Sequence, residues 1–199
     1  MLIKSKRRYH TFVRTFSLIL ATYLLSACTN MPTYPPKTPE QLLAQTHWQA
    51  KGKIGVRQDG KAHSANFDWE NKQQQYTIRI AGALGVGSAK LVKKGAQISL
   101  TTKHDTIQAN SAEQLLEQTL GWSMPVSHLS YWIKGLAAPT TSADNIAIGD
   151  MGELIQLEQE GWKISYSDYA AVKGYWLPGK IRAQHGDIKI TLIVKSWKI

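Results

Sequence analysis

The sequence predicts an α+β fold: an incomplete, half-open antiparallel β-barrel of about 10–11 strands, with short helices covering an apolar cavity. Successive segments alternate between apolar and polar residues with a period of two, and short turns separate them. Helical periodicity replaces this pattern in one long interruption, between residues 111 and 135. Strands and helices do not alternate along the chain, and no repeat of fixed length is present, which argues against a parallel sheet and a repeat architecture.

The N-terminus has the three-part order of a secretion signal: basic residues, an apolar run at 16–25, and small Ala27 before the only cysteine, Cys28. The apolar run is shorter than the ~20 residues that a membrane-spanning helix needs. Residues 25–28 (LSAC) resemble a bacterial lipobox, which implies cleavage before Cys28 and lipidation of that residue. The alternative is an ordinary secretory signal followed by a free cysteine. We therefore predict a cleaved lipoprotein signal peptide at 1–27, a proline-rich tether at 28–38 and a single domain at 39–199.

The charge and the cysteine content restrict the class of protein. The net charge is +10, but five of the 24 Lys and Arg residues lie in the predicted signal, which leaves 19 basic against 14 acidic residues. Lys and Arg are not concentrated in any stretch, so no nucleic-acid binding is predicted, whereas a modest attraction to anionic lipid or to acidic partners stays open. Because no cysteine follows Cys28, disulfides cannot stabilise the domain, and its fold depends on its core.

The first elements of the domain follow directly after the tether. Thr38 and Pro39 are typical of a helix start, and they predict a short helix. Strict alternation then predicts three strands joined by short turns, at 48–57, 64–70 and 75–80. Shorter alternating segments continue the meander as far as residue 109.

Two helices and a second group of strands complete the chain. A capping-box pattern at Ser111 and a C-cap at Gly121 bound the first helix, and the second lies between Pro125 and Gly135. Residues 136–149 are rich in Thr, Ser, Asp and Asn, which predicts a surface loop. Strands then return at 153–160, 162–169, 177–184 and 188–194.

The motifs of common catalytic sites are absent from the sequence. Residues 85–88 (GVGS) lack the order of a nucleophile elbow, and the histidines lack the His-x-x-x-His spacing of a helical metal site. The glycine-rich stretch lacks the Lys-Ser/Thr ending of a phosphate-binding loop, so no cofactor is predicted. Glu158 and Glu160 share one strand face, which leaves a glycosidase-type carboxylate pair open beside the simpler interpretation of a solvated edge.

Apolar surface is the remaining candidate for a functional feature. The strands supply one long apolar face, and two short helices are too few to fill a wide, curved sheet, so an apolar cavity is expected beneath them. The filled core of an ordinary domain is the alternative. The residues predicted to line the cavity are Trp48, Phe67, Trp69, Ile78, Ile80, Leu91, Leu100, Leu116, Trp132, Ile133, Trp162 and Ile190.

A glycine-rich loop interrupts the meander and carries two apolar side chains, Leu84 and Val86. Neighbouring glycines cannot bury these side chains, and apolar residues at an exposed tip usually contact another molecule. The loop could instead fold back on the core. The residues predicted to form a membrane-insertion loop are Gly82, Ala83, Leu84, Gly85 and Val86.

Two stretches of the chain have a more specific pattern. Residues 80–85 (IAGALG) place Leu84 in a protruding loop, and residues 120–135 contain Met-Pro-Val followed by Leu129 and Trp-Ile-Lys-Gly. Together with the lipobox, these stretches resemble the LolB family of outer-membrane lipoprotein receptors, and the likeness extends over the whole domain. Ala83 replaces the proline that often precedes the leucine in that family.

The resemblance implies a half-open barrel whose apolar interior holds acyl chains, without catalytic residues, metal or cofactor. The implied partners are a LolA-like periplasmic carrier, acylated lipoprotein clients, and the inner leaflet of the outer membrane through a lipid on Cys28. The protein is then a monomer that is anchored in the outer membrane and faces the periplasm. Two other functions stay open from the residues alone, namely an assembly lipoprotein that uses the sheet for protein contacts and an anchored periplasmic enzyme.

Overall fold

A single antiparallel sheet of eleven strands forms the body of the computed structural model, which describes residues 34–82, 88–121 and 123–199. Residues Pro35–Ile199 form one compact unit. Strands β1–β13 are His47–Gln58, Lys61–Lys72, Gln75–Gly82, Ser88–Lys94, Gln97–Thr102, Thr106–Ala109, Asp144–Ile148, Leu154–Gln159, Trp162–Ser167, Ala170–Val172, Tyr175–Leu177, Lys180–His185 and Ile188–Lys198. Helices α1–α3 are Pro39–Leu43, Ala112–Leu120 and Val126–Trp132.

The first and last strands meet in the middle of the sheet. The strand order is β6-β5-β4-β3-β2-β1-β13-β12-β9-β8-β7, and β10 and β11 form a separate hairpin. Within the described residues, β6 pairs only with β5 and β7 only with β8, so both edges of the sheet are open. An antiparallel sheet that is not closed, with few short helices, agrees with the predicted incomplete barrel.

Alternation along the strands produces one apolar face, as the sequence predicts. In β1, buried residues alternate with residues that face solvent or are half-buried, and β9 repeats the pattern. The buried positions of neighbouring strands lie opposite one another in the register, so they form continuous rows across the sheet. The core therefore lies on one face, beneath α2 and α3.

A β-bulge breaks the register between β1 and β13. Lys51 lies opposite Ser196, whereas Gly52 lies opposite Val194, so one residue of β13 is left over. A Cβ atom on Gly52 would overlap the backbone oxygen of Ile193. The close approach of the two strands at the bulge therefore requires glycine at this position.

The helix ends follow the predicted caps. Thr38 and Gln41 form a complete capping box at α1. At α2, the Ser111 hydroxyl accepts a hydrogen bond of 3.0 Å from the Gln114 amide, and Gly121 ends the helix in the left-handed region with φ 73°. Since only glycine adopts this backbone conformation without strain, Gly121 sets the point at which the chain leaves α2.

Two parts of the sequence-based assignment are wrong. The predicted surface loop at 136–149 contains β7, an edge strand whose residues are all exposed. Because no face of β7 is buried, its composition shows no alternation from which a strand could be predicted. The predicted strand at 177–184 is in fact two strands, since Pro178 and Gly179 separate β11 from β12.

Lys134 connects α1 to the domain from a buried position. Its side chain is 4% exposed, and Nζ donates hydrogen bonds to the backbone oxygens of Leu42 at 3.2 Å and Gln45 at 3.4 Å. These oxygens lie at the C-terminal end of α1, where the helix dipole favours a cation. The described end of the predicted tether is also in contact with this unit, because the Lys37 amide donates to the Gly174 oxygen at 2.9 Å.

We expect the buried lysine to make the protein more stable at alkaline pH. Burial lowers the pKa of Lys134 to about 8, below the ordinary value of 10.5 that it regains on unfolding. The unfolded chain therefore binds more protons between these values, so the free energy of unfolding should rise by about 2 kcal/mol from about pH 7.5 to about pH 9.5. Urea unfolding across this range measures the slope. Lys134→Met should remove the rise and Lys37→Met should keep it, and equal slopes in the two variants would contradict the assignment.

Candidate functional site

An apolar cavity of about 100 Å³ lies between the inner face of the sheet and the two longer helices. Its wall is almost free of polar surface, because it is formed by the buried positions of alternating strands. The residues that line it are Ile54, Val56, Phe67, Trp69, Ile78, Ile80, Ala89, Leu91, Leu100, Leu116, Thr119, Met124, Val126, Leu129 and Leu192.

Two rows of side chains across the strands form the floor of the cavity. In the first row, Trp69 lies opposite Ile78, and Ile78 lies opposite Leu91. In the second row, Phe67 lies opposite Ile80, which in turn lies opposite Ala89. Ala89 is the smallest residue in this row.

The helices α2 and α3 form the roof of the cavity. Leu116 and Thr119 of α2 and Leu129 of α3 belong to the lining. The Glu113 carboxylate accepts a hydrogen bond of 2.8 Å from the Val126 amide, which joins the start of α2 to the start of α3. This bond satisfies one of the free amide groups at the N-terminal end of α3, so the two helices form one connected roof.

A glutamine anchors the other end of α3 to the sheet. Gln159 of β8 is 2% exposed, and its Oε1 accepts hydrogen bonds from Trp132 Nε1 at 2.8 Å and the Ala138 amide at 2.9 Å. Its Nε2 donates to the backbone oxygens of Ala138 at 2.8 Å and Thr141 at 2.9 Å. All four bonds are made by one buried side chain, so the C-terminal end of α3 and the segment after it are fixed.

Two polar atoms in the lining have no hydrogen-bond partner among the described residues, Trp69 Nε1 and Thr119 Oγ1. A buried donor without a partner costs about 1–3 kcal/mol, so such atoms are uncommon in folded proteins. Burial and the Glu113 carboxylate raise the pKa of Tyr76, which packs beside Trp69 at a ring distance of 6.3 Å, so this phenol stays neutral. The cavity therefore offers two hydrogen-bond donors, and the neighbouring Tyr76 phenol adds no charge.

The structure brings seven of the twelve predicted lining residues together at the cavity. These are Phe67, Trp69, Ile78, Ile80, Leu91, Leu100 and Leu116. The other five, Trp48, Trp132, Ile133, Trp162 and Ile190, are buried in the same core but outside the lining.

Position along the strands separates these two groups. Trp48 lies at the N-terminal end of β1, away from the cavity. The centre of its ring is 5.2 Å from that of Trp69 and 5.8 Å from that of Trp197. Trp132 is held by Gln159, and its ring lies 6.3 Å from that of Trp162. The Trp132 and Trp162 rings therefore occupy the inner face at β9, and the Trp48 ring occupies it beside Trp69 and Trp197, so all three lie outside the lining.

Sequence reasoning left eight lining residues out of the predicted site. Ile54 and Leu192 lie on strand faces that the alternation identifies as apolar, and Val126 and Leu129 follow helical spacing. Thr119 lies near the end of α2 and Met124 follows the helix. No periodicity in the sequence there indicates which way their side chains point.

The predicted lipidation site and most of the predicted loop are outside the described residues. Cys28 lies before residue 34, and Ala83, Leu84, Gly85 and Val86 lie between β3 and β4. Gly82, the last residue of β3, has φ 134°, and a Cβ atom there would come within 3.0 Å of Ala65 Cα. The chain therefore needs glycine where it leaves β3.

The described residues hold neither a spanning helix nor a metal cluster. In residues 34–82, 88–121 and 123–199, no helix has the length and apolar character to cross a membrane. In the same ranges, His, Cys, Asp and Glu side chains do not gather in groups of three or more that could bind a metal ion. Glu158, one of the two carboxylates considered from the sequence, pairs with Lys163 at 3.4 Å, and Glu160 lies in the adjoining turn with φ 51°.

Comparison with known proteins identifies the family. The family model described as outer membrane lipoprotein LolB matches residues 46–197. The outer-membrane lipoprotein LolB of Pseudomonas fluorescens is 40% identical over 159 residues, which cover 79% of this chain and 77% of that protein. The protein of the same name from Pseudomonas paraeruginosa is 37% identical over 198 residues, which cover 94% and 96% of the two chains.

A solved structure supports the fold. The crystal structure of a LolA superfamily protein from Nitrosomonas europaea is similar to this chain with a TM-score of 0.52 at 11% identity, and the match covers 78% of this chain and 86% of that one. Because the family match spans most of the chain, including the strands and helices that form the cavity, this chain belongs to the LolB family of outer-membrane lipoproteins.

Proposed function

We propose that this protein is an outer-membrane receptor that accepts acylated lipoproteins from a LolA-like periplasmic carrier and inserts them into the outer membrane, without catalysis. The observation that carries the proposal is the apolar cavity between the sheet and helices α2 and α3. Such a wall suits the hydrocarbon of an acyl chain, since each CH₂ group removed from water contributes about 0.8 kcal/mol. The lipoprotein client then passes along sites of rising affinity, which requires no nucleotide.

The roof must move when an acyl chain enters. The cavity volume of about 100 Å³ is smaller than the ~300–1,000 Å³ of typical ligand pockets. Helix α2 packs on β5 and β6, at an open edge of the sheet, whereas Gln159 fixes the C-terminal end of α3. We infer that α2 and the start of α3 swing outward about this fixed end and that acyl chains occupy the space below.

The two unpartnered donors in the lining fit the polar linkages of a lipid. Trp69 Nε1 and Thr119 Oγ1 can donate hydrogen bonds, and the ester and amide carbonyls of an acylated N-terminus accept them. Either bond would satisfy an atom that is buried without a partner, so occupancy by a lipid is favoured over occupancy by a plain hydrocarbon.

Anchoring and release use the parts of the chain outside the described residues. We propose that residues 1–27 are a cleaved signal, that Cys28 carries the lipid anchor in the inner leaflet, and that residues 28–38 join it to the domain at 39–199, which acts as a monomer facing the periplasm. Leu84, with Val86 beside it, would touch the bilayer and promote release of the lipoprotein client, because both are apolar residues among glycines.

Filling the cavity tests the acyl-chain site without weakening the fold. Ala89 lies on the floor, and Ala89→Leu places extra carbon atoms in the space that an acyl chain would use. We expect the affinity for a palmitoylated peptide to fall about tenfold or more, with a melting temperature that is unchanged or higher. Quenching of the protein's tryptophan fluorescence measures the binding.

The matched control is Ala171→Leu, the same change at an exposed position of β10, which should bind as the wild type does. Equal affinity in wild type and Ala89→Leu would contradict the cavity as the acyl site.

Removing the apolar tip of the loop tests release. In Leu84→Glu, the charged side chain opposes entry into the bilayer, so insertion of a lipoprotein client into vesicles should slow about tenfold or more, while acceptance of the client from the carrier is kept. Leu43→Glu, at a leucine of α1 that is 42% exposed, is the control and should insert normally. Insertion at the wild-type rate by Leu84→Glu would rule out the role of this leucine.

A further inference from the structure

A second concave site lies on the outer face of the sheet, on the other side of β1 from the apolar cavity. It is a groove of about 570 Å³ that crosses β1, β13, β12 and β9 near the turn at residues 59–60. Val56 lines the groove and the cavity, while its neighbours Gly55 and Arg57 line only the groove. One strand therefore separates an apolar site from a polar one.

Four basic side chains surround the groove. Arg57 lies opposite Lys189, and Arg182 lies opposite Thr191, so the long cationic residues stand on neighbouring strands. Lys163 on β9 closes the row, roughly 14 Å from Arg57 at a spacing of ~4.8 Å per strand. All four residues are exposed, and they alternate along their strands with buried residues, so they lie on the face away from the core.

Small residues form the bottom of the groove. Gly55, Ala62, Ser165 and Thr191 contribute little or no side chain between the long basic residues. A Cβ atom added to Gly55 would meet only the backbone oxygen of His63, at 3.9 Å, so open space lies above this glycine. The short residues therefore produce the depression, and the hydroxyl groups of Ser165 and Thr191 lie at its base.

The positive charge of the groove is largely uncompensated. The lining contains no carboxylate, and of the four basic residues only Lys163 forms an ion pair among the described residues, with Glu158 of β8 at 3.4 Å. Arg57, Arg182 and Lys189 form no ion pair with any carboxylate of the described ranges. The nearby turns hold Asp59 and Asp187, and the closeness of Asp187 raises the pKa of Asp59.

We propose that this groove binds the phosphodiester of an anionic phospholipid headgroup at the membrane surface. Arginine matches the geometry of a phosphate with paired N–H donors, and here two arginines are combined with the hydroxyl groups of Ser165 and Thr191 over an open base. This rests on the proposed function: the lipid on Cys28 keeps the domain beside the bilayer, so anionic headgroups lie within reach of the groove, and a membrane is therefore favoured over an acidic carrier protein. Headgroup binding then adds to the lipid anchor in holding the domain at the membrane surface.

The test uses residues 34–199, which contain the whole compact unit and lack any lipid anchor. We expect binding to vesicles of phosphatidylcholine with phosphatidylglycerol and no binding to phosphatidylcholine alone, measured by co-sedimentation. The double variant Arg57→Gln/Arg182→Gln should bind about 25-fold more weakly, since each basic residue near an anionic surface contributes about fivefold. The matched variant Lys90→Gln/Lys103→Gln removes the same charge elsewhere and should lose less than about fivefold.

A substitution that keeps the charge distinguishes a defined headgroup site from general electrostatic attraction to anionic vesicles. Gly55→Leu fills the bottom of the groove, and its Cβ meets no close neighbour, so we expect normal folding and a loss of at least about fivefold in vesicle affinity. Binding of Gly55→Leu at wild-type strength would overturn the groove as the site, as would equal losses in the two double variants.

Two further outcomes would reassign the groove. If inorganic phosphate raises the melting temperature of the wild type, and does so less for Arg57→Gln/Arg182→Gln, while the vesicles are not bound, the groove takes a free anion and the lipid is excluded. If the wild type does not bind vesicles, but Arg57→Gln/Arg182→Gln accepts lipoprotein clients poorly from the carrier, the groove contacts an acidic protein surface. Acyl-chain binding by Ala89→Leu tests the cavity on the other face of the sheet. A negative result at the groove therefore leaves the acyl-chain site in place, and a negative result at the cavity leaves the groove in place.

Discussion

Gly52→Ala should be among the most destabilising single substitutions in the domain, lowering the free energy of unfolding by about 3 kcal/mol or more. The added methyl group would overlap the backbone oxygen of Ile193 and come within 3.0 Å of Phe67 Cε1. The first of these neighbours is main chain at the β-bulge, so only a shift of β13 relative to β1 can relieve the overlap. Because these strands join the two halves of the sheet, the shift would disturb the whole core.

The free energies of unfolding of Gly52→Ala and Gly55→Ala, measured in urea, test whether the close approach at the bulge causes the loss. Gly55 lies three residues further along β1, and a Cβ atom there has its nearest neighbour at 3.9 Å. Gly55→Ala should therefore be neutral or stabilising by about 0.4–1 kcal/mol, because alanine restricts the unfolded chain. If both variants lose the same stability, the loss comes from glycine content in general, and the close approach at the bulge is not its cause.

Gln159→Leu should lower the free energy of unfolding by about 3–5 kcal/mol and loosen the roof of the cavity. The variant leaves four backbone and indole groups without their partners, and Trp132 Nε1 and the Ala138 amide are both buried. Hydrogen exchange should show faster opening of α3 and of the segment that follows it, at residues 133–141. Acyl-chain affinity should fall as well, since α3 then lacks its fixed end.

Gln156→Leu is the matched control, since it makes the same change on the same strand at an exposed position. We expect a change within about 0.5 kcal/mol there. Similar losses in both variants would mean that leucine in β8 is unfavourable by itself, whereas normal exchange of α3 in Gln159→Leu would contradict the anchoring role.

Much of the fold is predictable from the sequence because half-buried strands carry a period that can be read directly. β1, β2 and β3 follow strict alternation, and the caps at Thr38 and Gly121 define helix ends by local chemistry. β7 has no buried face, so its sequence contains no alternation, and it is wrongly predicted as a loop. Residues in such edge strands are placed by pairing with a neighbour, which is a long-range effect.

The cavity is only partly predictable for a different reason. Alternation identifies which side of a strand is apolar, but it does not tell which part of that side is filled by large rings. Trp132 and Trp162 pack against each other and fill one region, whereas Ala89 leaves space in another. Gln159 is polar on a buried strand position, and its four partners become evident only once α3 is packed on β8.

The pairing of β1 with β13 has a consequence for how the protein is made. Residues 47–58 are synthesised early, and their partner strand at 188–198 is the last to appear, so closing this contact requires the longest loop in the chain. Contacts of such sequence separation form slowly, and the two half-sheets cannot join through β1 and β13 until β13 has been made. A chain cut before residue 188 would lack Ile190 and Leu192 of the core and would leave β1 and β12 each with an unpaired edge, so proteases should degrade it.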